Sequence, residues 1–153
     1  MSTKNLVTFA LIKPMTYGRG QALAVLDEIT KAGFSVLRIK TQQPCRMTMS
    51  ALYKSHEGEP YYDSLVEAML VNTTVPMLLG RYDDTFDTIT AFRQLIGPTK
   101  SLIAPKTTIR GMFGGHLYRG PDAPVNDNVI HASDSAKAVS FEASLFFKDA
   151  PEV

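Results

Sequence analysis

Cysteine is nearly missing from this chain: Cys45 stands alone, so no disulfide can close within it. That fits a reducing compartment, because small oxidised domains rely on paired cysteines. Net charge is nearly missing as well. Lys and Arg total 16 against 15 Asp and Glu, a formal +1, which leaves no broad field for nucleic acid or an anionic membrane. Any affinity for phosphate must then rest on a few locally placed cations. No stretch approaches the roughly 18 uninterrupted apolar residues of a membrane span. The opening MSTKNLVTFALIKP has a short apolar run broken by Lys13 and Pro14, without the long apolar core and cleavage site of a secretory signal. The histidines and the cysteine show no metal-ligand spacing, so no protein-held metal is expected. Repeats, low-complexity tracts and linkers are also lacking. The expectation is one domain over residues 1–153, cytoplasmic, with no membrane and no nucleic-acid partner.

What is present is an ordinary core-forming chain of 153 residues, 44% hydrophobic and 20% charged, long enough to fold without staples. Residues 6–12 (LVTFALI) are short, apolar and β-rich and stop at Lys13-Pro14, which reads as a buried strand. A turn at Gly18 and Gly20 follows. Ala22, Leu23, Val25, Leu26, Ile29 and Ala32 then recur at helical spacing, and Gly33 is suited to end that helix. Residues 34–40 read as a second strand. Two short helices, 47–56 and 61–70, flank the turn at Glu57-Gly58-Glu59-Pro60. Residues 75–79 form a third strand, which Pro76 pushes towards an edge or a bulge. Residues 83–96 make a helix with Phe86, Ile89, Phe92 and Ile96 on one face and Gly97 at its end. Residues 97–128 are rich in Gly and Pro and lack a period, so they read as a long functional loop. Val129 and Ile130 lead as a strand into His131, and Ser133 or Asp134 caps a closing helix to about Phe147. This order gives βαββαβ, an α+β sandwich with helices on one side of a mainly antiparallel sheet.

Chemistry concentrates in NVIHASDS, residues 128–135. A histidine between an apolar pair and a helix start has one ring nitrogen free for nucleophilic work if a neighbour orients the other. A helix start also presents free N–H groups to phosphate. A structural histidine held by local hydrogen bonds fits those residues equally. Lys13, Arg93 and Arg110 are candidate phosphate contacts, with Arg suited to two-pronged binding and Lys to a point charge, though each alone reads as a solvated cation. Tyr61, Tyr62 and Leu65 offer a surface on which a flat base could stack, or simply pack. Tyr53 could give a phenolic hydrogen bond or cap the core. Glu142 is the kind of carboxylate that orients an imidazole, but its place far along the closing helix reads as solvent-facing. His56 and His116 have no partner pattern and read as surface or loop residues.

NVIHASDS, TFALIKP at the start, TIRG at 108–111 and the late E-x-S-L-F-F together resemble the nucleoside diphosphate kinase family, from about Thr8 to Phe147. The resemblance implies a ferredoxin-like βαββαβ fold, its antiparallel sheet covered by helices. It implies transfer of a γ-phosphoryl group between nucleotides by a ping-pong route through a phosphohistidine. By motif, His131 resembles the nucleophile, Lys13 the lysine on the transferring phosphate and Tyr53 the tyrosine near both. Tyr61, with Leu65 beside it, resembles the base platform; Arg93, Thr99 and Arg110 resemble the phosphate contacts, and Asn128 the sugar contact. Ser133 and Glu142 resemble the pair that supports the histidine. Also implied are Mg²⁺ held chiefly by nucleotide phosphates, nucleoside di- and triphosphates as partners, and a homo-oligomer, hexameric or tetrameric.

The chain departs from the family pattern at several places. Met15-Thr16 follow Pro14, Leu52 precedes Tyr53, Lys100-Ser101 follow Thr99, Lys106-Thr107 precede TIRG, and Met112 follows it. The stretch GGHLYRGPDAPVND between Arg110 and Asn128 is longer than the family's usual connection. These departures leave open a non-catalytic, nucleotide-binding relative with a regulatory role.

Overall fold

The structure is a computed structural model that describes residues 5–81, 86–119 and 124–149. The chain runs β1 (Val7–Ile12), α1 (Pro14–Gly18), α2 (Ala22–Lys31), β2 (Phe34–Ile39) and α3 (Arg46–Leu52). A 3₁₀ turn at Lys54–His56 leads to α4 (Tyr62–Ala68), β3 (Val75–Arg81) and α5 (Thr88–Ile96). A second 3₁₀ turn at Ser101–Ile103 precedes α6 (Ile109–Phe113), β4 (His116–Arg119), β5 (Pro124–Asp127), β6 (Ile130–Ala132) and α7 (Ala136–Phe146). β2, β3, β1 and β6 form one sheet in that order with every pairing antiparallel, while β4 and β5 form a separate hairpin.

The continuous apolar run of β1 follows from its central position. Successive side chains point to opposite faces of a sheet, so Phe9 and Leu11 enter one core while Ala10 and Ile12 enter another. The first core lies under α3, α4 and α7, with Met49, Leu65, Met69, Val139 and Phe146. The second lies under α2, α5 and α6, with Val25, Ile29, Phe92, Ile96 and Ile109. Helices therefore cover both faces, not the single face expected from sequence, because β1 is apolar on both sides and each side must be buried.

Helix ends follow local chemistry. Asp87 caps α5, its Oδ1 accepting from Thr90 N at 3.0 Å, and its Oδ2 accepts from Asn5 N at 2.9 Å, which ties down the chain ahead of β1. Phe86 consequently precedes the helix and is 63% exposed, so it does not join the apolar face read for 83–96; residues 83–85 lie outside the described residues. Ser135, not Ser133 or Asp134, caps α7 by accepting from Ala138 N at 3.1 Å. Pro76 sits in an interior strand. Its carbonyl accepts from Lys40 N at 3.2 Å just past the end of β2, so its donor-less nitrogen falls in the gap between the β2 ladder and the isolated Gln42–Thr74 bridge. The bulge of this sheet lies in β2, between Val36 and Arg38.

The 97–128 stretch is not the irregular loop expected. It holds a 3₁₀ turn, α6 and the β4–β5 hairpin, whose register pairs His116 with Asp127. Ser101 pins these parts together. Its hydroxyl donates to Asn126 Oδ1 at 2.8 Å and to Asp127 O at 3.1 Å, and accepts from Gly115 N at 2.9 Å.

Candidate active site

Lys13 directly follows β1, and His131 is the middle residue of β6, paired with Leu11 of β1. The chain reaches β6 through a tight three-residue turn in which Ile130 N donates to Asn128 O at 2.8 Å. That turn puts Val129 at φ 74°, the only non-glycine in the left-handed region among the described residues. A β-branched residue there is strained by about 1–3 kcal/mol. Val129 is fully buried in the second core, which holds the turn in place, and it is not part of the strand as sequence had suggested.

Glu142, on α7 and eleven residues past His131, is only 8% exposed, which corrects its solvent-facing reading. α7 packs back on β1, so the carboxylate reaches the edge strand: Oε2 lies 3.0 Å from His131 Nε2. That contact is close but not aligned as a good hydrogen bond. The Ser133 hydroxyl donates to the same Glu142 oxygen. Ser133 is thus a holder of the carboxylate rather than a helix cap. With Nε2 facing Glu142, Nδ1 is the imidazole nitrogen left for chemistry.

A cleft of about 430 Å³ opens here, lined by Lys13, Tyr53, Arg93, Arg110, Asn128 and His131, with Tyr61 and Leu65 at its α4 side. Tyr53 crosses the His131 ring edge-on at 5.6 Å and lies 5.7 Å under the Lys13 ammonium. Its hydroxyl donates to Met69 Sδ at 3.7 Å. Burial, and then the Glu142 charge, hold the phenol well above its usual range, so it stays protonated.

The cations are confined. Lys13 is 4% exposed, and burial, reinforced by the Arg110 charge and opposed by Asp127, lowers its pKa to about 7. Arg110 is also buried, and its pKa falls to about 10 from burial first and Arg93 second. Its guanidinium donates to Asn128 O at 3.1 Å, Gly97 O at 3.0 Å and Ile130 O at 2.8 Å. Arg110 therefore braces the turn before His131 while keeping further N–H donors. Arg93 is exposed and donates to Ala132 O at 3.2 Å. Thr99 O accepts from Asn128 Nδ2 at 3.1 Å, and Asn128 Oδ1 is buried with no partner. A buried acceptor left unpaired is costly, so this oxygen is suited to a ligand hydroxyl.

Sequence reasoning missed several lining residues. His56 is not a loop bystander: it lines the cleft, and its Nδ1 lies 2.8 Å from the Tyr61 hydroxyl, steadying that ring. Val125 and Asn126 enter from the long connection, which had no period to reveal them. His116 is exposed on β4 and does not line the cleft. The departures are accommodated: Leu52 forms an apolar wall of the cleft, Met15 packs against the first core, and Lys106 donates to Gly111 O at 3.0 Å. Among the described residues, no three histidine, cysteine or carboxylate side chains converge to hold a metal.

A sheet in the order β2-β3-β1-β6 with βαββαβ connectivity and helices on both faces defines the class: an α+β protein of ferredoxin-like architecture. The family model described as nucleoside diphosphate kinase matches residues 7–151. A nucleoside diphosphate kinase of Prosthecochloris aestuarii is 34% identical over 140 residues, 92% of this chain and 91% of its own length. One from Sulfolobus acidocaldarius is 30% identical over 146 residues, 95% and 92% of the two chains. The solved Aquifex aeolicus nucleoside diphosphate kinase superposes with a TM-score of 0.81 at 28% identity, over 97% of this chain and 99% of that one. The chain belongs to the nucleoside diphosphate kinase family, enzymes that pass the γ-phosphoryl group of a nucleoside triphosphate to a nucleoside diphosphate. That phosphotransfer is the activity of this chain.

Proposed function

We propose that the transfer runs in two steps through a phosphorylated His131, within one domain spanning 1–153. The observation that carries this reading is the Ser133–Glu142–His131 arrangement, which sets a carboxylate against Nε2 and leaves Nδ1 for chemistry beside a cleft bordered by Lys13, Arg93 and Arg110. In the first step the Nδ1 lone pair forms a bond to the γ-phosphorus while the bridging β–γ oxygen leaves with its electrons on the diphosphate. In the second, a terminal oxygen of another nucleoside diphosphate attacks that phosphorus and the N–P bond breaks. Little covalent work is asked of the protein beyond alignment and charge stabilisation. Lys13 and Arg110, with low exposure and few water competitors, are placed to offset charge on the equatorial oxygens.

Tyr61, held by His56, and Leu65 would take the base face, Asn128 Oδ1 would accept from a sugar hydroxyl, and Arg93 and Thr99 would hold the phosphates. Stacking discriminates weakly among bases, which favours broad nucleotide use. The donor set fits Mg²⁺ carried by nucleotide oxygens and water: the cleft is cationic, and Glu142 is engaged with Ser133 and His131. When bound, the ion supplies further charge neutralisation on the phosphates.

A cytoplasmic setting is supported by the lone, unpaired Cys45, and no described helix is long and apolar enough to cross a membrane. Self-association, as hexamer or tetramer, is supported by edge strand β2, which exposes Leu37 at 54% and Ile39 at 43%. Incubation with Mg²⁺ and γ-labelled ATP, then a GDP chase, tests the route. Acid-labile label on the protein that moves to GTP and is lost in His131→Ala is the expected result. A wild type that binds nucleotide yet never takes label refutes it.

A further inference from the structure

The β4–β5 hairpin ends in a buried carboxylate. Asp127, the last residue of β5, is 1% exposed, yet it is not isolated. Its Oδ2 pairs with Arg19 Nη1, just beyond α1, and its Oδ1 accepts from Val129 N at 3.1 Å. Val129 O in turn accepts from Lys13 N at 2.9 Å. A short relay thus runs from Arg19 through Asp127 and the left-handed turn to the end of β1, where Lys13 stands, and to the start of β6, where His131 stands. A buried charge with one exposed-side partner is hard to account for as a stability device, because desolvation offsets most of the attraction. Its placement accounts for it better.

We propose that Asp127 is a positioning residue for phosphoryl transfer: from the end of the β4–β5 hairpin it fixes the Val129 turn, and through that turn it holds Lys13 and His131 in place across the cleft. This rests on the two-step reading above. The charged and titratable groups that share the cleft with Lys13 are Arg110 from α6, Arg93 from α5, Tyr53 and His56 after α3, Tyr61 before α4, His131 from β6, Asp134 after it and Glu142 from α7. Among the causes that shift Lys13, Asp127 is the carboxylate that favours its ammonium, against burial and Arg110. Behind Asp127 stand Arg19 and its hairpin register partner, the exposed His116.

Asp127→Asn keeps the shape and an acceptor for Val129 N–H but removes the charge. With the full chain, kcat should fall on the order of tenfold or more with KM little changed, as expected when alignment is lost. The alkaline limb of the pH–rate profile should move to lower pH, because Lys13 loses its proton more readily. Arg19→Met, which leaves the carboxylate in place, should keep the wild-type alkaline limb. An Asp127→Asn enzyme with wild-type kcat and limb overturns the proposal, as does an Arg19→Met enzyme that reproduces the Asp127→Asn limb, since the ion pair would then be a staple only. If Asp127→Asn fails to fold, Asp127→Glu decides: a limb held at the wild-type pH supports the carboxylate's role, and a downward shift overturns it. Wild type and His131→Ala are run alongside. Wild type that takes no label refutes the phosphohistidine route, whereas wild-type labelling with an unchanged Asp127→Asn refutes only the role of Asp127.

Discussion

Nucleotide binding should draw a proton onto Lys13. In the free chain burial and Arg110 hold this lysine at a pKa of about 7, against 10.5 ordinarily. At pH 8, one unit above, only about a tenth of molecules carry the ammonium; at pH 6 about nine-tenths do. A diphosphate entering the cleft brings negative charge that restores the charged form, and beside a lysine this buried the attraction exceeds the burial cost. Binding of ADP should therefore take up roughly 0.9 proton at pH 8 and roughly 0.1 at pH 6. Titration calorimetry in buffers of different ionisation enthalpy measures this directly, with Lys13→Met as the baseline for protons released by the nucleotide itself. Uptake that is equal at the two pH values, or that survives in Lys13→Met, refutes the reasoning. The same shift has a signature without ligand. Below about 7 folded and unfolded chains both hold the proton and the folded state bears the full cost; between 7 and 10.5 only the unfolded chain holds it. The contribution of Lys13 to stability therefore rises with pH across that window, at about 1.4 kcal/mol per unit.

Ser133→Ala removes the donor that holds Glu142, and kcat should fall on the order of tenfold while KM for ADP stays near wild type; an equal rise in KM would mean that the serine shapes the binding cleft instead. Nitrogen-15 and phosphorus-31 spectra of the labelled protein should place the phosphoryl group on Nδ1 of His131, and a signal from Nε2 would contradict the ring orientation set by Glu142. Gly111→Ala should cost roughly 3 kcal/mol in urea unfolding, because an added Cβ would collide with the Pro105 carbonyl oxygen in backbone that cannot swing aside; a change within experimental error would show that the 104–113 segment can yield.

The parts of this fold legible in the sequence are those whose neighbours lie nearby in the chain. β1 announces itself by an apolar run closed at Lys13-Pro14, and α2 by Val25 and Ile29 one turn apart with Gly33 at φ 92° beyond its end. Glu142 was not legible from periodicity, which gives a face of α7 but not what that face meets. Only the family motif pointed to it, and the packing of α7 on β1 is what brings it to His131. The 97–128 stretch failed for a related reason. Its short elements are held by distant partners, Ser101 with Asn126 and Arg110 with carbonyls on two sides, and none of these leaves a period. The His56–Tyr61 bond crosses a turn for which spacing says nothing about direction.

Where local rules break, they break together. Val129 takes a conformation that β-branched residues avoid, Asn128 Oδ1 is buried without a donor, and Lys13 and Arg110 sit where burial opposes their charge. Each is unfavourable in the free chain, and each lies within a few residues of the turn between β5 and β6 or faces it across the cleft. The two cores on either face of the sheet supply the stability that tolerates them. A polyphosphate bearing a sugar hydroxyl would relieve the last three at once: it offers a donor to Asn128 and counter-charge to Lys13 and Arg110. On the proposed two-step route Val129 would keep its strain, because the turn would have to persist through both transfers for His131 to receive the phosphoryl group and give it up from one fixed position.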